Sequence, residues 1–248
     1  MSIILRRATL GIAILSLTSV APAARAAESE GWDWMVAPYL WAASIGTDVN
    51  AGAPPAGTDS DFSDIIDKID GVFMARLEGQ GDHFGVLADV IFLSLADDND
   101  RRLSHTESDL DAWLIDAAGV WSPGNDRSRG LGLFAGLRYV DVDLSVQVDP
   151  TNALFDTATI GTNRSYSDAL LGARYTWALS ERWGLTLRGD GSFGDTEGSW
   201  SASAIAQYRT SNGGWLFGYR YLSVELETGD SNTEITLSGL MFGYGFSF

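Results

Sequence analysis

The chain has no cysteine, so neither a disulfide framework nor a thiolate metal site can form. Cysteine avoidance suits a protein that crosses an oxidising compartment unfolded. Only two histidines, His83 and His105, are present, which leaves few candidates for general-base chemistry. Long apolar runs are missing as well. Ala8 to Val20 has thirteen residues, short of the about 20 that a membrane-crossing helix needs. Basic residues are scarce, with 16 Lys and Arg against 33 Asp and Glu and a net charge of −17. Such acidity excludes nucleic acid as a partner and argues against attraction to anionic headgroups.

The first residues read as a leader. Arg6 and Arg7 form a basic start, Ala8 to Val20 is the apolar stretch, and Ala24-Arg25-Ala26 puts small residues where a signal peptidase reads. Residues 1–26 are therefore expected to be a signal peptide, cleaved after Ala26. The mature part, 27–248, keeps 13 basic and 33 acidic residues, a net charge of −20. No linker, low-complexity tract or helical block divides it, so it reads as one domain. An exported chain without an apolar helix can still be integral to a membrane if its strands close into a barrel.

What the mature chain does have is alternation. Segments of period two, bounded by turn residues, cover Trp32–Asp48, Val72–Gln80, His83–Ala96, Ser104–Trp121, Gly130–Val146, Ser165–Leu179, Trp183–Phe193, Gly198–Thr210, Trp215–Glu227 and Thr233–Phe248. They predict an all-β fold, a single antiparallel transmembrane β-barrel of about ten strands, with eight and twelve as the neighbouring counts. Tight turns at Gly81-Asp82, Ser180-Arg182 and Ser211-Gly214 alternate with longer connections such as 49–71 and 147–163. In the last strand Leu240, Phe242, Tyr244, Phe246 and Phe248 share one face, and Gly239, Met241, Gly243, Gly245 and Ser247 share the other. A membrane barrel turns the aromatic face to lipid and keeps its lumen small or polar. A water-soluble barrel would invert that arrangement. Trp32, Trp34, Phe84, Trp121, Trp177, Trp183, Tyr208, Trp215 and Phe248 fall near one end of the hairpins, as in an interfacial girdle.

Three strands repeat a short motif: Gly136-Leu137-Arg138-Tyr139, Gly172-Ala173-Arg174-Tyr175 and Gly218-Tyr219-Arg220-Tyr221. Arg on lipid costs about 2–4 kcal/mol at the midplane of a barrel, so the Arg faces the lumen and the Tyr faces out. The same parity turns Arg76 and Arg188 inward, together with Glu78, Asp89, Asp116, Asp168 and Asp190. Five cations and five anions predict charges paired across a narrow lumen. Two readings follow: an interior filled by salt-bridged side chains, or a narrow conduit with charged rings.

One segment breaks the pattern. Phe62, Ile65, Ile66 and Ile69 stand at helical spacing within Asp61–Asp70, with Asp61 or Ser63 as the cap. It predicts one or two helical turns in the first external loop, packing that loop or plugging the barrel mouth. Acids such as Asp97, Asp98, Asp109, Asp111, Asp141 and Asp143 crowd the outer strand ends. No calcium-loop spacing accompanies them, and neither a metal site nor a cofactor is expected. His105, beside Ser104 and near Glu107 and Ser108, has the residue types of an acyl hydrolase. Adjacent strand residues point to opposite faces, however, so Ser104 and His105 make a poor pair. The expectation is a non-enzymatic protein, with a membrane-surface hydrolase using His105 as the alternative.

Several pieces resemble a poorly characterised group of proteobacterial outer-membrane β-barrel proteins. They are Pro38-Tyr39-Leu40-Trp41, Phe62-Ser63-Asp64-Ile65-Ile66, Gly85 to Leu95 with Ala88-Asp89-Val90-Ile91, Gly218-Tyr219-Arg220-Tyr221-Leu222, and Gly243 to Phe248. The terminal Phe248, with Phe246 and Tyr244 before it, also resembles the assembly signal of Gram-negative barrels. The resemblance covers most of 32–248. It implies a barrel folded by the barrel-assembly machinery and seated among outer-membrane lipid and lipopolysaccharide. A monomer is expected. No stretch resembles the lipid A deacylases or the omptin-type proteases, and the group brings no catalytic or ligand residues with it.

Overall fold

Alternating segments that pair in chain order must either leave two edges or close on themselves, and here the last strand returns to the first. The computed structural model describes residues 31–50, 56–101, 104–124, 126, 129–150, 158–228 and 231–248. The expected leader, 1–26, lies outside them. The strands are β1 (Asp33–Asn50), β2 (Ala56–Ser60), β3 (Ile69–Gln80), β4 (Phe84–Arg101), β5 (Ser104–Trp121), β6 (Gly130–Pro150), β7 (Ala158–Ala178), β8 (Trp183–Gly194), β9 (Gly198–Thr210), β10 (Gly213–Thr228) and β11 (Ser231–Ser247). Each pairs with the next except around β2, and β11 pairs with β1. The result is a closed antiparallel barrel of ten strands with β2 as an extra one. Closure removes the sheet edges that lipid would otherwise meet.

Every expected strand is present, but several are longer than their alternation suggested. Much of the long connection expected at 147–163 is strand, since β6 runs to Pro150 and β7 begins at Ala158, and the one expected at 49–71 holds β2 and the helical turns. Above the membrane band both faces meet water, so hydrogen bonding continues while the hydrophobic period fades. The β8–β9 connection is short, as the expected strand ends imply. It leaves the wall low there, and Asp195 N donates back to Ser167 O.

β2 was not expected. It folds back along the outer half of β1, pairing Val49 with Ala56 through to Ile45 with Ser60. β1 meets β3 only from Asp33–Gln80 to Pro38–Ala75. The expected helical turns occupy the space between: α1 (Phe62–Ile65) followed by a 3-10 turn, Ile66–Lys68. They pack against β1 and β4 in the wall, and Phe62 N donates to Ser44 Oγ at 3.2 Å. They fill the gap in the wall between β1 and β3. Asp61 is the N-cap but makes no side-chain capping bond.

The outward face carries large apolar side chains, among them Leu40, Phe84, Leu137, Leu171, Phe193, Leu240 and Phe246. Phe84 and Trp121 register with each other at the short-turn end, and Phe92 and Trp113 do so eight residues higher. Trp183 packs at a tilt against Tyr208, and Trp200 stacks on Tyr221. Eight tilted strand residues span roughly 20 Å between the two aromatic belts, about the height of an apolar membrane band.

Inside, the lumen is less uniformly polar than expected. Beyond mid-height, away from the short turns, Tyr39, Trp41, Met74, Ile91, Leu222, Val224 and Met241 form an apolar cluster. On the near side Leu87, Val120, Phe134 and Leu170 form a second. Packing of this kind depends on small residues at facing positions. A Cβ at Gly172 would lie 2.6 Å from Phe134 Cε2 and 2.7 Å from the Asp190 Cβ. Gly172→Val should lower the unfolding free energy in lipid vesicles by about 1–3 kcal/mol, the usual cost of overpacking. Gly189→Ala, where nothing lies within 4 Å of the new Cβ, should leave the urea midpoint unchanged.

Candidate functional site

Register gathers the lumen charges at one level. Arg76 stands opposite Asp89, Asp89 opposite Asp116, Asp116 opposite Arg138, and Arg138 opposite Asp168, across five consecutive strands. Like charges in directly opposite positions repel, so Asp89 beside Asp116 needs compensation from elsewhere in the lumen. Each of these carboxylates is held by two guanidiniums.

Asp89 Oδ2 accepts from Arg76 Nη2 at 2.7 Å and from Arg220 Nη1 at 3.3 Å, and its Oδ1 accepts from the Tyr39 hydroxyl at 2.6 Å. Asp116 takes a fork from Arg138, Nε to Oδ1 at 2.8 Å and Nη2 to Oδ2 at 2.9 Å. Asp190 closes a square: it accepts from Arg138 Nη2 at 2.7 Å and from Arg188 Nε at 2.8 Å, while Arg188 Nη2 reaches Asp116 at 3.3 Å. Glu78 accepts from Arg174 Nη1 at 2.5 Å and lies 4.0 Å from Arg76. Planar guanidiniums suit this work because one can serve two carboxylates in fixed geometry. Apolar groups flank the square, with Arg188 over the Phe134 ring at 4.6 Å and Arg220 over Trp41 at 5.1 Å.

Asp168 departs from the expected pairing. Although it is in register with Arg138, it accepts hydrogen bonds from Ser192 Oγ at 2.7 Å and from Thr196 N at 3.1 Å. A chain of hydroxyls links it back to the square: Ser192 meets Ser199 at 2.6 Å, and Ser199 accepts from Arg138 Nη1 at 2.8 Å. Asp168 thus pins the low β8–β9 connection to β7.

Other candidates stand apart. Leu240, Phe242 and Phe246 are exposed on the outer face of β11, and the Tyr244 hydroxyl meets Thr210 Oγ1 at 2.7 Å. Phe248 N donates to Trp34 O at 3.0 Å as the barrel closes. His105 lies at the outer end of β5, with Asp100 and Asp149 opposite it in the ladders. His83 Nδ1 stands 3.1 Å from Ser122 O at the short-turn end. Among the described residues no group of three His, Asp or Glu is placed to hold a metal ion.

Below the charges the lumen widens into a cavity of about 580 Å³, lined in part by Gln80, Thr176, Thr186 and Gln207. Sequence reasoning missed Tyr39, Ser192, Thr196 and Ser199. Tyr39 shares the inward parity of Trp41 on β1, so parity alone marked it. The hydroxyls carried no signal, since their role depends on where β8 turns into β9.

No family model matches the chain, and no curated protein matches it by sequence. By fold it is similar to the outer membrane protease OmpT of Escherichia coli, at 10% identity over 88% of this chain and 96% of that one, with a TM-score of 0.55. It is also similar to the transport unit of the autotransporter AIDA-I from Escherichia coli, at 10% identity over 91% and 94% and a TM-score of 0.40. A further neighbour is Ail, the attachment invasion locus protein of Yersinia pestis, at 11% identity over 88% and 100% and a TM-score of 0.34. These are outer-membrane β-barrel proteins of Gram-negative bacteria, and at such identities the likeness is one of fold.

Removing one partner from a buried set of charges costs far more than replacing the set. Arg138→Met alone should therefore lower the unfolding free energy by about 3–5 kcal/mol. Adding Asp116→Asn to that variant, which leaves Arg188 paired with Asp190, should recover part of the loss in the same urea titration.

Proposed function

We propose that this chain is an integral outer-membrane barrel of a Gram-negative bacterium, closed at rest, with a structural or surface-interaction role. One observation carries the reading: at mid-height the lumen is occupied by side chains. The Arg138 and Asp190 side chains are fully buried, and those of Asp116 and Arg188 keep 1% and 6% exposure. The apolar cluster around Trp41 and Met241 fills the next level. What projects from such a barrel is its outer wall of long strands, β4 to β7, edged with acids that include Asp109, Asp111, Asp141 and Asp143.

In this reading the short turns face the periplasm and the tall strands face outward, among lipid and lipopolysaccharide. The protein works as a monomer delivered by the barrel-assembly machinery, for which Leu240, Phe242, Tyr244, Phe246 and Phe248 provide the terminal signal. No catalytic step is involved, and His105 is a strand residue. A narrow low-conductance channel is the competing role, and it requires the square of Arg138, Asp116, Asp190 and Arg188 to part.

Planar-bilayer recordings of the purified, folded barrel decide between them. The closed reading expects a silent wild type. Openings are expected once Arg138→Ala and Arg188→Ala together remove the cations of the square. Steady ion-selective openings in the wild type would replace this reading with the channel.

A further inference from the structure

The cavity at the short-turn end differs in charge from the rest of the chain. Its lining includes Arg76, Arg129, Arg174, Arg188 and Arg209 against the acids Asp33 and Glu78, in a protein whose net charge is −17. The excess has a structural cause. Ten lumen charges balance five to five, but Asp168 is held at the far side of the network by Ser192 and Thr196. The square is balanced two to two, so the remaining tier sets three guanidiniums, Arg76, Arg174 and Arg220, against the two carboxylates of Glu78 and Asp89.

Exposure separates the two tiers. The side chains of Arg76, Arg174 and Glu78 keep 12%, 17% and 20% of their surface open, whereas the square behind them is sealed. Arg76 also carries a buried Nε–H that has no acceptor. Arg129 is bridged to Asp126 and Arg209 has interactions of its own, so the surplus cation belongs to the tier of Arg76, Arg174 and Arg220, of which Arg76 and Arg174 line the cavity. Around them the wall mixes polar Thr176, Thr186 and Gln207 with apolar Leu87, Ile205 and Leu216. A volume of about 580 Å³ is that of a small-molecule site.

We propose that this cavity binds a small anion through a carboxylate or phosphate group, held by Arg174 and Arg76 in competition with Glu78. Guanidinium forks recognise planar and tetrahedral oxyanions through charge-assisted hydrogen bonds. The site opens at the short-turn end, so its ligand arrives from that side. Binding of this kind needs no passage through the sealed square, and it stands whether or not the barrel conducts.

The test is titration calorimetry of the folded barrel in neutral detergent at low ionic strength, with inorganic phosphate in one series and succinate in another. Saturable one-site binding of at least one of them is expected, and the stronger series identifies the preferred anion. Arg174→Gln should weaken it by roughly tenfold, as loss of a charge-assisted contact does. Glu78→Gln should tighten it by roughly threefold or more, because the competing carboxylate is gone. A merely structural role for this pair would not make the two variants move in opposite directions. Arg164→Gln, on the outer part of β7, should bind like the parent. Absence of saturable binding to both anions, a Glu78→Gln variant that binds no tighter, or an equal loss in Arg164→Gln would overturn the proposal. If Arg174→Gln does not fold, Glu78→Gln decides alone.

Discussion

Two guanidiniums and two carboxylates meet across the barrel at mid-height, and Arg138, Asp116, Asp190 and Arg188 hold one another there at 2.7 to 3.3 Å. Each group has given up most of its water, and the other members of the square, with Ser199, replace it. Desolvation of this size is tolerated when every donor and acceptor finds a partner. The lumen is arranged to meet that condition. Asp116 must face β6 for Arg138 to fork it, Gly172 must lack a side chain for Phe134 and Asp190 to stand beside it, and Ser199 must accept a hydrogen bond from Arg138 Nη1. The square supplies specificity more than raw stability, since a one-residue slip of any strand would turn its charge to lipid.

The square also divides the lumen into three levels with different properties. At the short-turn end lies a wet, cation-rich cavity. The sealed charges come next, and beyond them an apolar cluster around Tyr39, Trp41 and Met241. A uniform aqueous pore would repeat one kind of lining from end to end. This barrel changes its lining twice, which suits a closed body with a pocket on one side and a presenting surface on the other.

The ten barrel strands were legible because lipid imposes a strict period of two. Ser104–Trp121 and Gly198–Thr210 have the same ends in sequence and structure. The inward parity of Arg138, Arg174 and Arg220 was legible for the same reason, since a guanidinium facing lipid is costly. Period two says which way a residue points but not which residue lies across from it. The match of Arg76, Asp89, Asp116, Arg138 and Asp168 along one register level could not be read, and neither could the capture of Asp168 by Thr196. β2 was hidden because Ala56–Ser60 is short and rich in small and polar residues, with no apolar alternation to mark a strand. The apolar outer lumen was masked by the same alternation that revealed the barrel: a run such as Tyr39-Leu40-Trp41 is hydrophobic on both faces.

A protein without cysteine allows the central claim, a lumen sealed at mid-height and wet only at the short-turn end, to be tested by single thiols. Ser201→Cys would place one thiol at the sealed level, where Ser201 is buried opposite Asp190. Gln207→Cys would place one in the cavity. With the folded barrel in lipid vesicles and a charged, membrane-impermeant thiol reagent, the thiol at 207 should react readily. The one at 201 should stay unmodified until the barrel is unfolded. Rapid labelling at 201 in the folded protein would show that water and ions reach mid-height, and the account of a sealed lumen would fail.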